Sequence, residues 1–267
     1  KVYDKGSDVA ENYISNLLDG PGDTEVSLGK KKDNKPTGSI MIVRPYNVSD
    51  RGVLFYQAQI NSYHVEGDAR QSINYGVGKR FLSNEKSYFW GVNTFLDLDI
   101  EKNSRLGFGS EFKASVFNVN GNYYLDVLGG GNKVDSNTER VLDGYDFNIS
   151  GQVPFMPWAK INYNNYTWKK EKATKDSRGK AYSGIFNISN DITLEMGRDD
   201  NNIANYRNFA KVIFVYGGKK RPNMEDGLSS IAFQDSDVSE DMLTKVKRSN
   251  IITLEVETSG VVLVNGN

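Results

Sequence analysis

The sequence predicts an all-β membrane protein, built as a closed antiparallel barrel of twelve strands. Two observations support this fold class. Twelve short segments alternate apolar and polar residues, which is the two-residue period of strands with one apolar face. The connections between these segments are alternately short and long, which is typical of barrels that cross a membrane.

Residues 1–22 precede the predicted barrel. Apolar residues such as Val9, Tyr13 and Leu17 recur at roughly helical spacing, and the pattern stops at the Gly-Pro-Gly of residues 20–22. We expect a short N-terminal helix and linker here.

The predicted barrel occupies residues 23–218. Its clearest strand is 117–127, where Phe117, Val119 and Tyr123 share one face and three asparagines lie on the other. The predicted strands are 24–31, 38–47, 53–64, 70–82, 87–99, 104–114, 116–128, 144–154, 158–169, 180–189, 192–199 and 206–217. An even number is expected of a single-chain bacterial barrel.

Alternation alone does not say where the apolar face points, because a soluble sandwich shows it too. The connections discriminate between the two folds. Long, charged links occupy 30–37, 64–70, 99–103, 129–143, 169–180 and 197–205, and short ones occupy 47–50, 83–86, 113–115, 154–157 and 189–191. This sorting favours a bacterial outer-membrane barrel with extracellular loops and periplasmic turns. A soluble sugar-binding sandwich is the less favoured fold.

Composition narrows the function classes. No apolar run approaches the roughly 18 residues of a membrane helix, and the net charge of −1 gives no indication of nucleic-acid binding. Cysteine is absent and His64 is the single histidine, so no nucleophile-base-acid set of a hydrolase can be assembled. We expect no enzyme activity, no metal site and no cofactor. The lysine side chains of stretches 30–35 and 169–175 are expected either to be solvated in the loops or to contact lipopolysaccharide.

The polar faces of the strands indicate a hydrated lumen. Asparagine and charged side chains there can bind a peptide backbone without an apolar surface that would trap it. The candidate lumen residues are Arg80, Asp97, Asp99, Arg105, Glu111, Asn118, Asn120 and Asn122. We expect Asp97 and Asp99 to be solvated inward charges, and glycines 76, 78, 107 and 109 to leave room for a plug.

The tail, residues 219–267, does not continue the strand pattern. Residues 237–247 are predicted to form a helix, because acidic residues lead and basic residues trail, and 251–257 look extended. We expect residues 237–257 to occupy the lumen and seal it. The candidate residues of this lumenal helix and linker are Met242, Val246, Arg248, Asn250 and Leu254.

Five stretches, in order along most of the chain, carry a family resemblance. They are YGVGKRFL at 75–82, GVNTFLDLD at 91–99, SRLGFGSEF at 104–112, DGYDFNISGQVPFMPWAKINYNNY at 143–166 and VKRSNIITLEVE at 246–257. Together they resemble the inverse autotransporters, the intimin and invasin family. The resemblance implies a twelve-stranded barrel, a pore-resident helix and an extended linker leading to an adhesive C-terminal passenger.

The resemblance also implies location and partners. The barrel would lie in the bacterial outer membrane with its N-terminus in the periplasm and its passenger outside. Implied partners are the lipid bilayer with lipopolysaccharide, the protein's own passenger, the barrel assembly machinery and periplasmic chaperones. A contact between the N-terminal region and peptidoglycan is implied as well.

Two functions remain open at this point. A translocator would pass its passenger unfolded, as a hairpin, because a twelve-stranded barrel is too narrow for a folded domain. A passive porin is the alternative. A porin would normally end at its last strand, near Gly218, whereas this chain continues to Asn267.

Overall fold

The computed structural model describes residues 20–32, 34–216, 220–258 and 261–265. The helix predicted around Val9 to Leu17 therefore lies outside the described residues, as does the predicted boundary between barrel and tail near residue 218.

Within the described residues, twelve strands close into one antiparallel barrel, which confirms the predicted fold class. They are β1 (Thr24–Lys31), β2 (Thr37–Ser49), β3 (Gly52–Val65), β4 (Asp68–Leu82), β5 (Tyr88–Asp99), β6 (Ser104–Ala114), β7 (Phe117–Asp126), β10 (Gly144–Val153), β11 (Met156–Trp168), β12 (Ser177–Asn187), β13 (Ile192–Asn201) and β14 (Asn205–Tyr216). The hairpin of β8 (Asn132–Val134) and β9 (Asn137–Val141) lies between β7 and β10 in sequence. Each predicted barrel strand lies within three residues of its observed bounds.

The barrel closes where its first strand meets its last. Thr24 pairs with Tyr216 and Lys31 with Phe209, so β1 and β14 are hydrogen-bonded along the whole of β1. Closure matters because an open edge would leave unpaired backbone groups in the bilayer. We call the end of the barrel at Thr24 the turn end and the end at Lys31 the loop end.

The two faces of the barrel wall differ as the alternation predicts. Ile60 and Ile73 are each 56% exposed on the outer face, whereas their neighbours Asn61 and Ser72 are buried inside. Near the turn end the outer face carries stacked rings, with the Phe81 and Trp90 centroids 4.3 Å apart. An exposed apolar band with aromatic rings is the surface that lipid covers.

The described tail first crosses the turn end. The Asn187 amide donates to the carbonyl of Pro222 at 3.0 Å, and the Phe155 N–H donates to Ala232 at 2.8 Å. Two 3₁₀ helices lie on this path, Met224–Asp226 and Val238–Leu243. The helices of the described residues are too short or too polar to cross a membrane.

The helix predicted for residues 237–247 is wrong in type and extent. Only Val238–Leu243 are helical, with 3₁₀ geometry, and Thr244 turns to extended backbone at φ −76° and ψ 159°. Beyond it, side chains of the barrel wall bind the backbone groups that a longer helix would have used internally. Tertiary contacts here override the local preference.

A second sheet stands at the loop end. It joins β15 (Leu254–Thr258) and β16 (Val261–Asn265) to the hairpin of β8 and β9, in the order β16-β15-β9-β8. The link 129–143, predicted to be a plain loop, therefore contains two strands. The prediction missed them because their partner, β15, lies more than a hundred residues further along the chain.

Two apolar clusters hold the tail at the two ends of the barrel. The turn-end cluster contains Met41, Val43, Val53, Phe55, Phe89, Phe95, Val238, Met242 and Val246. The loop-end cluster contains Tyr63, Val65, Val141, Ile252, Leu254 and Val256. Polar contacts dominate between these clusters.

Candidate functional site in the barrel lumen

Residues 244–253 run through the lumen from the turn-end cluster, which includes Val246, to the loop-end cluster, which includes Ile252. They contain no helix or strand, so their backbone N–H and C=O groups need partners from elsewhere. Side chains of the inner wall supply these partners. This run, which we call the lumenal segment, and the wall facing it form the candidate site.

Arg80 binds the start of the lumenal segment, near the turn end. Its Nη1 donates to the carbonyls of Met242 at 2.9 Å and Thr244 at 2.7 Å. Its Nε lies 2.8 Å from Oε1 of Glu111, and its guanidinium stacks 4.4 Å from the Phe55 ring centroid. Arg80 is fully buried, and the paired carboxylate offsets the cost of burying its charge.

Three charged side chains, Asp97, Arg105 and Arg248, form an ion triad in the middle of the site. Asp97 accepts from Arg105 Nε at 2.9 Å on one side and from Arg248 Nη2 at 2.6 Å on the other. Arg105 also donates to the carbonyls of Ser249 at 2.7 Å and Ile251 at 3.2 Å. One wall carboxylate therefore joins a wall arginine to an arginine of the lumenal segment.

Amide and hydroxyl side chains bind the rest of the backbone. Asn120 and Asn122 both donate to the Lys247 carbonyl, and Asn74 donates to Asn250 at 2.9 Å. In the opposite sense, the Val246 N–H donates to Gln57 and the Ser249 N–H donates to the Tyr124 hydroxyl, both at 2.8 Å. These contacts bind backbone atoms, so most of them do not depend on the sequence of the segment.

The remaining sequence-predicted residues are spread over the site and its two ends. Met242 and Val246 belong to the turn-end cluster, whereas Leu254 lies in β15 at the loop end. Asn118 contacts Ser150 on the neighbouring strand at 3.4 Å. Asp99 is bound by Arg70 at 3.0 Å near the loop end.

One detail of the predicted lumen is wrong, and another holds only in part. Asp97 and Asp99 do point inward, but they are buried and ion-paired, where solvated charges were expected. The glycines do not simply leave space for the tail. A Cβ at Gly76 would lie 2.3 Å from the Phe95 ring, which fills that position from the wall, whereas at Gly107 it would lie 3.0 Å from Arg248 of the lumenal segment.

Sequence reasoning missed the contacts at the loop end. Arg70 bridges Asp99 of the wall and Glu139 of the β8–β9 hairpin, the latter at 2.7 Å. Glu255 of β15 is fully buried. Its carboxylate accepts the backbone N–H groups of Glu171, Lys172 and Ala173 at 3.0, 2.6 and 3.0 Å. We call these three N–H groups the backbone nest. No local motif indicates it, because the loop contributes only its backbone.

Comparisons with solved structures reproduce the barrel. One match, described as "Unveiling the Mechanism Behind the in-meso Crystallization of Membrane Proteins", has a TM-score of 0.71 at 19% identity, covering 88% of this chain and 99% of that chain. The COG4313 outer membrane channel from Pseudomonas putida F1 has a TM-score of 0.53 at 11% identity, covering 73% and 96%. At these identities the likeness shows the fold alone. A comparison with curated proteins gives no match.

The family model for the inverse autotransporter β-domain matches residues 1–250. That span includes every barrel strand, and it ends inside the lumenal segment. The fold and the family together place the barrel in the lipid bilayer of a bacterial outer membrane. The chain therefore belongs to the inverse autotransporter β-domain family.

Proposed function

We propose that the barrel exports and anchors a C-terminal, surface-exposed, adhesin-like passenger through its own lumen. The observation that carries this proposal is the binding of the lumenal segment through its backbone. Arg80, Arg105, Asn120 and Asn122 all donate to main-chain carbonyls of the tail. Such a wall can hold an unfolded chain of any sequence, because every residue offers a carbonyl.

The barrel also offers two sequence-dependent contacts that would hold the tail in place while the passenger crosses. Arg248 pairs with Asp97 in the lumen, and Glu255 enters the backbone nest at the loop end. Both contacts place a charge in a buried site built to neutralise it. In this account, residues 237–257 anchor the exported passenger and close the pore.

The proposal fixes the orientation. The turn end faces the periplasm with the N-terminus, and the loop end faces the outside with the passenger. Lipopolysaccharide would then contact the loop lysines of stretches 30–35 and 169–175. Barrel assembly machinery, periplasmic chaperones and an N-terminal contact with peptidoglycan follow from the family and complete the proposed partners.

A reporter at either terminus tests the proposal. One epitope-tagged, cysteine-free reporter is joined after Asn267, and the same reporter is joined before Lys1 as the matched control. Antibody binding and added protease on intact cells should detect the C-terminal reporter and not the N-terminal one. A C-terminal reporter that becomes accessible only after the outer membrane is permeabilised would contradict the proposal.

A passive porin is the second candidate, and the lumen itself gives one reason to consider it. Beside the lumenal segment lies a cavity of about 320 Å³ whose lining includes polar side chains such as Asn148, Asn162 and Ser183. A porin would conduct small solutes whether or not residues 219–267 are present.

A further inference from the structure

The lumenal segment lies against one side of the barrel. Its backbone contacts come from β3 to β7, through residues such as Gln57, Asn74, Arg80, Arg105 and Tyr124. We call this side, β3 to β7, the holding wall. Among the described residues, most of the largest fully buried side chains belong to it, including Phe55, Phe89 and Phe95.

The opposite side, β11 to β14 with β1, is separated from the segment by open space. Two adjoining cavities of about 320 and 380 Å³ share Tyr166, Trp168, Asp199 and Ile251 in their linings. The segment reaches across through long lysine side chains, with Lys247 bound to Asn162 and Lys245 bound to Glu25 at 2.5 Å. We call this side the open wall.

Small side chains on β12 contribute to the open space. In the half of β12 nearer the loop end, the inward positions are Ser177, Gly179, Ala181 and Ser183. No large side chain of this half of the strand therefore points into the lumen. The neighbouring strands contribute mixed charges, as in the pair of Lys31 and Asp199 at 2.7 Å. The small residues leave room for a second chain, and the pairing of Lys31 with Asp199 reduces the net charge that this chain would meet.

We propose that the open wall is the track of the moving limb of the passenger during export, while the tail limb is already seated on the holding wall. This inference rests on the proposed function and deepens it. A chain crossing as a hairpin places two limbs in the lumen together. The structure gives one limb a wall of matched partners and leaves the other a groove lined by small, polar and aromatic side chains.

The turn end is compatible with this track. The tail crosses beneath the open wall through hydrogen bonds to residues at the turn end, including Asn187 to Pro222, Arg221 to Asn190 and Trp158 to Gly227. These bonds, and no described strand pairing, would have to break for the crossing to shift during export. After export it settles below the groove and covers the turn end.

Site-directed crosslinking tests the track directly. The natural chain contains no cysteine, so single cysteines need no prior substitutions. Ser177→Cys and Ser183→Cys place a thiol on the open wall, and Ser72→Cys places a matched thiol on the holding wall. Ser72 and Ser177 are both buried and both lie near the loop end of their strands.

The passenger is a cysteine-free stem carrying single cysteines at successive positions, followed by a domain that folds on addition of calcium and stalls export. We expect a crosslinked species of higher mass with Ser177→Cys and Ser183→Cys and none with Ser72→Cys. The second arm omits calcium, and the exported stem should then lose its crosslinks to the open wall.

Each outcome decides the question. Crosslinks at Ser72→Cys, equal crosslinks on both walls, or none on either wall while the stem is stalled and surface-exposed would overturn the track but leave the proposed function standing. A stem that never reaches the surface, with or without calcium, would overturn the proposed function, and the track with it.

Discussion

Arg248 Nη2 lies 2.6 Å from Oδ2 of Asp97, and both side chains are almost fully buried in the middle of the barrel. Asp97 belongs to the wall and Arg248 to the tail, 151 positions further along the chain. The pair therefore fixes the register of the tail in the lumen. Burying both charges is tolerable because Arg105 and Asn74 also donate to Asp97, and the Asn250 side-chain oxygen accepts from Arg248.

Arg248→Ala should loosen the lumenal segment. Asp97 keeps Arg105, so we expect a cost of about 3 kcal/mol, at the low end for breaking a buried ion pair. The readout is maleimide labelling of a single cysteine introduced as Ser249→Cys, which is nearly buried in the folded chain.

Labelling should be much faster in the presence of Arg248→Ala. Arg140→Ala is the matched control, because it removes an arginine ion pair with Glu257 at the loop end, at 2.8 Å and partly exposed. Equal labelling rates in the two variants would show that the pair with Asp97 does not hold the segment.

Glu255→Gln should weaken the anchor at the loop end. The variant replaces a carboxylate that accepts three backbone N–H groups, and loss of a hydrogen-bonded charge costs about 1.5–3 kcal/mol. Hydrogen exchange of the Glu171, Lys172 and Ala173 amides should accelerate. Glu257→Gln, on the same strand, should leave these amides protected, and similar acceleration in both variants would refute a specific nest.

Acidification should stabilise the turn end through Asp23, which immediately precedes β1. Burial, reinforced by the charge of Glu25 and opposed by Lys245 and Lys113, raises the pKa of this carboxyl from 3.8 to about 6. Between those values the folded chain holds a proton that the unfolded chain releases, so stability rises as the pH falls.

Above pH 6 the ionised carboxylate destabilises the fold, by up to about 3 kcal/mol. Asp23→Asn should therefore raise the unfolding temperature in detergent at pH 8 and make little difference at pH 4. Asp50→Asn, in an exposed turn, is the control for loss of a carboxylate. If the unfolding temperatures of Asp23→Asn and the natural chain differ by the same amount at pH 4 and pH 8, the raised pKa of Asp23 is contradicted.

Brominated lipids should distinguish the two faces of the wall. Trp90 is 47% exposed on the outer face, whereas Trp168 is 2% exposed and packs inside against Tyr124 with ring centroids 5.1 Å apart. Two single-tryptophan variants combine Trp158→Phe with either Trp168→Phe or Trp90→Phe. In vesicles, fluorescence of Trp90 should be quenched and that of Trp168 should persist, and strong quenching of both would contradict the inside-outside assignment.

The barrel could be predicted from sequence because its determinants are local. Alternation and turn composition repeat every ten or so residues, as in Phe117 to Val127, and each strand pairs with a close neighbour. The inward direction of Arg80, Asp97 and Arg105 follows from the same alternation. Their burial does not, because it depends on which segment fills the lumen.

The tail was harder to predict because its structure depends on distant partners. The charge pattern of residues 237–247 favours a helix locally, yet Arg80 and Gln57 bind the carbonyls and N–H groups that the helix would have used. The pairing of β15 with β9 and the nest around Glu255 join segments about 80 to 120 residues apart. No local pattern marks such contacts.

Single-channel conductance in a planar bilayer tests the central claim most directly, by comparing the full chain with a version that ends at Gly218. If the tail closes the pore, the full chain should be almost silent and the shortened chain should open a steady channel. Equal, large conductance of the two would contradict the claim and support a passive porin.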